Sequence, residues 1–247
     1  MKNDSTPTAK RFIERLKTYQ SEVEREKTMR YFKNTTNGEA DQFIGVRMGQ
    51  VFALVKEFIA MTPDEIEKLL ESKIHEVRAG GCSIMDKQAR SKKTTAERRK
   101  ELYDLYLRRH DRINNWDLVD VCSIHVVGGY LIDKPRRVLY KLARSKNMWE
   151  RRTSIVSTAY FIRKAELDDT YKIAELLLGD KEDLIHKATG WMLRFAGDKD
   201  RPRLLKFLDH YAATIPRVAL RYSIEKLDKK QRDHYLGLKK LSGLQRS

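Results

Sequence analysis

Asp120 stands one helical turn after Trp116 in the stretch Asn114-Asn115-Trp116-Asp117-Leu118-Val119-Asp120. A carboxylate and a π face both attract positive charge. The pair is therefore suited to hold a cationic group, and it lies in a chain where basic residues are the local norm. Asp117 in the same stretch reads as a helix-capping or solvated acid, which leaves Asp120 as the carboxylate of interest.

The surroundings of Asp120 come from setting five helix starts in register. They begin at Arg78, Asp120, Arg152, Lys187 and Arg217, separated by 42, 32, 35 and 30 residues. Each opens with a charge followed by small or apolar residues. Such spacing suits imperfect two-helix repeats of the HEAT type. Four of the five leading charges are basic and Asp120 is the exception. If they share a face, that face is a positive groove with one acid near its centre. The plainer alternative is that Asp120 pairs with a neighbouring arginine and stiffens the stack.

Composition says what such a groove would hold. The chain of 247 residues carries 51 Lys and Arg against 35 Asp and Glu, a net charge of +16. That balance favours a polyanion, either nucleic acid or an anionic membrane. Residues 87–112 add ten Lys and Arg against four acids, with Lys92-Lys93 in a turn placed to touch a phosphate backbone. No single strongly amphipathic basic helix is evident, which disfavours the membrane surface. No run of about 18 apolar residues marks a membrane span. Met1 to Lys10 lacks the apolar core of a signal peptide, so a cytoplasmic location is expected. Cys82 and Cys122, the two cysteines, are expected to be buried and reduced. No metal-ligand spacing and no glycine-rich phosphate loop is present, so neither a metal nor a nucleotide cofactor is expected.

The elements that position these residues read as helices throughout. Thr62-Pro63-Asp64-Glu65 is a strong helix start, with proline at the first position and acids near the positive end of the dipole. Helical periods continue through approximately 75–92, 95–112, 117–131, 135–145, 149–163, 168–179, 183–196, 201–209, 216–226 and 228–238. Phe43-Ile44-Gly45-Val46 is a short apolar connector. Strand-like alternation is almost absent, so the expected fold is all-α over a single domain, residues 1–247. Trp149 is expected to anchor core. Trp116 and Trp191 are open to two readings: core anchors, or aromatic faces for a sugar or base.

Three of these segments resemble motifs of the AlkD-type DNA alkylation repair family: Trp116 to Asp120, Trp149-Glu150-Arg151-Arg152, and Lys187-Ala188-Thr189-Gly190-Trp191-Met192-Leu193-Arg194. Tyr31-Phe32-Lys33-Asn34 resembles that family's N-terminal aromatic-basic element. The resemblance spans roughly residues 10 to 238. It departs from the family at the insertion-like Thr35 to Gln42. It implies a HEAT-like solenoid of antiparallel helix pairs with a concave basic groove, acting on double-stranded DNA that carries positively charged N3- or N7-alkylpurines; long solenoid helices with capped ends suit a monomer. It implies Asp120 as the catalytic carboxylate, Trp116 and Trp191 as flanking aromatics, and Arg152 as a phosphate-holding cation that keeps Asp120 ionised. It also implies a lesion that stays largely stacked. Tyr31, Lys33, Arg78, Lys92, Lys93, Arg151, Lys187, Arg194 and Arg217 are the candidate DNA contacts. A non-catalytic HEAT-repeat DNA-binding or scaffold protein is the second reading. It has the same basic groove and no use for an acid at its centre.

Overall fold

The computed structural model describes residues 6–32 and 41–244. These residues form two compact units, Met1–Tyr130 and Leu131–Ser247. Among the described residues the secondary structure is helical. The one extended contact is an isolated parallel bridge between Gln42 and Ile74.

The first unit comprises α1 (Ala9–Lys17), α2 (Glu22–Phe32), α3 (Met48–Glu57), α4 (Pro63–Leu70), α5 (His75–Arg90), α6 (Ala96–Arg108) and α7 (Trp116–Ser123). Helix α4 starts as its sequence dictates, with Thr62 in extended conformation and Pro63 in the first turn. Glu65 in that turn also accepts the Ala9 N–H at 2.6 Å, tying α1 to α4. Helix α5 is the hub: it packs on α3, α4, α6 and α7. Most of its residues are buried, charged ones included. A helix apolar on one stripe needs one partner, whereas one surrounded on several sides must neutralise its polar residues internally. Helix α7 does not run smoothly to residue 131. From Ile124 to Gly128 it widens by one residue, and the Gly129 N–H reaches back to the Ile124 carbonyl at 3.0 Å. Such wide turns re-aim the side chains that follow.

The second unit comprises α8 (Arg137–Leu142), α9 (Met148–Val156), α10 (Ala159–Arg163), α11 (Asp168–Leu177), α12 (Asp183–Gly197), α13 (Arg201–Tyr211), α14 (Arg217–Ser223) and α15 (Lys229–Leu244). Here α12 is the hub, packed on α9, α10, α11, α13 and α14. The expected helix over 149–163 is broken into α9 and α10. The Thr158 hydroxyl donates to the Ile155 carbonyl at 2.7 Å, a local bond that competes with continuation of the helix. Gly190 on α12 is required by packing. A Cβ there would lie 2.4 Å from the Ala219 carbonyl oxygen and 2.5 Å from Tyr222 Cβ, so α12 and α14 approach closely only across a glycine.

The five register positions fall on α5, α7, α9, α12 and α14. Within the first unit α5 packs on α7, and within the second α12 packs on both α9 and α14. In each unit the register positions therefore fall on helices that pack on one another, as in an all-α repeat-like fold.

Candidate functional site around the start of helix α7

Asn115 begins α7. Its side chain is fully buried and its Oδ1 accepts the Trp116 N–H at 2.8 Å. Leu118, Val119, Cys122 and Ser123 turn inward. Trp116, Asp117 and Asp120 are therefore left half-buried together, at i, i+1 and i+4 of one turn. Trp116 stacks on Phe32 of α2, with ring centroids 5.8 Å apart and planes 19° apart. Tyr31 meets the same indole edge-on at 5.8 Å. Tyr31 is 70% exposed, which a side chain with a partner in solution can afford. Lys33, the next residue nominated in that element, lies outside the described residues.

Beneath the aromatics is a charge network that sequence reading missed. His75, only 2% exposed, donates from Nδ1 to Asp41 Oδ2 at 3.0 Å and from Nε2 to Asp117 Oδ2 at 2.7 Å. Burial alone would push its pKa down. The Asp117 charge and hydrogen bond and the Asp41 pair outweigh burial and raise it to about 9. His75 is thus an imidazolium clamped between two carboxylates, with Phe32 and Phe43 against its ring at 5.0 Å each. Asp41 pairs on its other oxygen with Arg78. Burial works to raise the Asp41 pKa, but His75 and Arg78 hold it at about 2. Asp117 is accordingly not a capping or solvated acid: Asn115 is the cap, and Asp117 is the anchor that fixes α7 to α5.

Glu76 completes the cluster. Its carboxylate accepts the backbone N–H groups of Ile44, Gly45 and Val46, the closest at 2.8 Å. This holds the connector expected at residues 43–46. Gly45 there has φ +74°, and a Cβ would meet the Ser21 carbonyl oxygen at 2.0 Å, so only glycine fits.

The nominated cations differ in their availability. Arg78 is corrected as a DNA contact. It is 2% exposed, and its guanidinium is committed to Asp41, to the Ser72 carbonyl at 2.9 Å and to Asn114 Oδ1 at 3.3 Å. The column of cations is therefore not one uniform surface. Lys92 and Lys93 stand exposed in the turn between α5 and α6. In the second unit Arg152 is 5% exposed and donates to the Leu184 carbonyl at 2.6 Å. Arg151 grips Asp180 at 2.6 Å and the carbonyls of Ser145 and Lys146 at 3.0 Å each. Lys187 pairs with Asp183 at 2.8 Å, Arg194 with Glu225, and Arg217 donates to the Leu236 carbonyl at 3.0 Å. Trp191 is half-buried on α12, whereas Trp149 is 3% exposed and belongs to the core, as its sequence context indicates.

Cys82 and Cys122 are both buried and unbridged. Burial, together with the adjacent Cys82 thiol, pushes the Cys122 thiol well above its ordinary value. Among the described residues, no helix is long and apolar enough to cross a membrane and no group of three His, Cys, Asp or Glu side chains is placed to hold a metal ion.

Comparison with known proteins follows the same line as the geometry. Residues 12–227 match the model of a family described as DNA alkylation repair enzyme. The fold is similar to a solved structure described as a predicted DNA alkylation repair enzyme from Enterococcus faecalis. The TM-score is 0.69 at 17% sequence identity, covering 85% of this chain and 97% of that one. At that identity the likeness is one of fold. No curated protein matches the chain.

Proposed function

The chain belongs to the DNA alkylation repair enzyme family, and from that premise we propose that it is a DNA glycosylase that releases positively charged N3- and N7-alkylpurines. The observation that carries this reading is Asp120 on the same half-buried face of α7 as Trp116, one turn apart, in a chain of net charge +16.

The chemistry asks for little else. Alkylation at N3 or N7 makes the base cationic and a good leaving group, so no general acid has to protonate it. As the glycosidic bond lengthens, positive charge moves from base to sugar. A carboxylate beside the anomeric carbon favours that movement and can orient the attacking water. Asp120 takes this role. Trp116 and Tyr31 offer π faces to the cationic nucleotide and keep bulk water off it. Arg152 and Trp191 enter this reading from their motifs alone, as a cation and a second aromatic. Lys92 and Lys93 contact the backbone without regard to sequence. The protein acts as a monomer, in the cytoplasm, on double-stranded DNA.

The test is base release from DNA containing 7-methylguanine. Wild type is expected to release the base, and Asp120→Asn to lose most of that rate while keeping DNA affinity. Release by Asp120→Asn at the wild-type rate overturns the assignment. Tighter binding with no release by either protein supports the scaffold reading instead.

A further inference from the structure

The motif glycine of α12 has a neighbour that sequence reading passed over. Lys187, Gly190, Trp191 and Arg194 stand at i, i+3, i+4 and i+7, so they share one face of α12. Lys187, Trp191 and Arg194 are half-buried, and Gly190 is covered because α14 lies against it. The side chain that closes on it is Tyr222, whose Cβ is 2.5 Å from where a Gly190 Cβ would stand. Tyr222 is therefore seated in the row from Lys187 to Arg194, at the place where α12 itself has no side chain.

Tyr222 is not there to fill core. Ala219, Leu220 and Ser223 turn inward from α14, while Tyr222 is left 37% exposed. The exposed tyrosines among the described residues are Tyr31 and Tyr222. Tyr31 meets Trp116 edge-on in the first unit. Tyr222 lies against the residue next to Trp191 in the second. Each unit thus sets an open tyrosine beside a half-buried motif tryptophan.

The charges around Tyr222 indicate its partner. Lys187 is paired with Asp183 at 2.8 Å, an exposed ion pair of the kind that contributes little and that an incoming anion can replace. The Asp183 hydrogen bond raises the Lys187 pKa and burial opposes it; Tyr222 adds to the rise and the Arg152 charge works against it. Both Tyr222 and Arg152 therefore lie within electrostatic reach of the Lys187 ammonium. Two cations and a hydroxyl suit a phosphate, and the ring beside them suits the sugar that follows it along a strand.

We propose that Tyr222 is a DNA contact of the second unit, its ring laid against a deoxyribose and its hydroxyl donated to the phosphate that Lys187 holds. The choice of DNA as the partner rests on the glycosylase reading. Tyr222 itself lies outside the three motif segments. Gly190 then has two tasks, admitting α14 and seating the tyrosine.

The test titrates the full chain with duplex DNA containing 7-methylguanine, followed by fluorescence anisotropy over a range of salt concentrations. Tyr222→Phe, which keeps the ring and its packing, is expected to weaken binding about threefold. Tyr222→Ala is expected to weaken it about tenfold or more. Neither variant changes the slope of log affinity against log salt, whereas Lys187→Ala lowers it by about 1. Thermal unfolding establishes that each variant is folded, and Tyr222→Phe decides the matter if Tyr222→Ala is not. Wild-type affinity in either folded variant overturns the proposal. Base release is assayed on the same preparations. Release by wild type with affinity unaltered in the variants overturns the tyrosine contact and leaves the glycosylase standing; weakened binding by the variants with no release by wild type does the reverse.

Discussion

The His75 clamp makes a prediction with a definite size and sign. An imidazole that titrates near 6.5 in an unfolded chain titrates near 9 here. By linkage, a raised pKa stabilises the fold below the unfolded value, and that stabilisation is lost as pH rises through the folded value. The difference corresponds to about 3 kcal/mol, present at pH 6.5 and below and gone above pH 9. Asp41 behaves in the opposite sense. Its pKa is held down at about 2, so its contribution is present above 3.8 and fades as pH falls through 2. Lysines and tyrosines also titrate near pH 9, so the measurement must be a difference. Denaturant unfolding of wild type and His75→Gln, followed by circular dichroism across pH 6 to 10, supplies it. The variant is less stable throughout, because two carboxylates lose their shared donor. The gap between the proteins narrows by about 3 kcal/mol from the acidic to the alkaline end. A gap independent of pH refutes the charged-histidine clamp. So does an imidazole proton resonance, assigned by its loss in the variant, that titrates near its ordinary value.

Other perturbations test the elements around the site. Glu76→Ala leaves the N–H groups of Ile44, Gly45 and Val46 without their acceptor. It is expected to cost roughly 3 kcal/mol in denaturant unfolding; a change under about 0.5 kcal/mol would show that the connector does not depend on it. Gly190→Ala places a Cβ against the Ala219 carbonyl at 2.4 Å and should destabilise the second unit by about 1–3 kcal/mol. Unchanged stability there would mean that α14 moves aside freely. Replacing Lys92 and Lys93 together by alanine should weaken DNA binding uniformly across sequences and lower the slope of log affinity against log salt by about 2. An unchanged slope removes them from the interface. Arg78→Lys should alter unfolding far more than DNA affinity, since the guanidinium holds Asp41, Ser72 and Asn114 inside the fold.

Much of this architecture is written locally. Thr62-Pro63-Asp64-Glu65 announces a helix start through its proline and its acids, and the structure has a helix there; the cap at Asn115 is not read from the sequence, where Asp117 draws that role. The register is legible because small and apolar residues recur on the helices that pack closely within each unit, α5 on α7 and α12 on α9 and α14. Partners brought from afar are not legible in this way. Arg78 occupies the register position as predicted, but whether it faces out or in depends on Asp41 and Asn114, which lie 37 and 36 residues away. His75, Asp41 and Asp117 are each ordinary in their own stretch, and only the tertiary fold joins them into a clamp. The motif glycine at 190 could be spotted as a pattern, but its reason is the Ala219 backbone. The break between α9 and α10 rests on a hydroxyl competing for a carbonyl, a contest that periodicity does not decide.

The central claim is that Asp120 acts on a cationic nucleotide. Its most direct test is the single-turnover rate of 7-methylguanine release from duplex DNA, compared between wild type and Asp120→Asn at saturating protein. The account predicts release by wild type, a loss of about 10²-fold or more in the variant, the size expected when an aligned electrostatic stabiliser is removed, and DNA affinity that does not fall. Equal rates in the two proteins would contradict it.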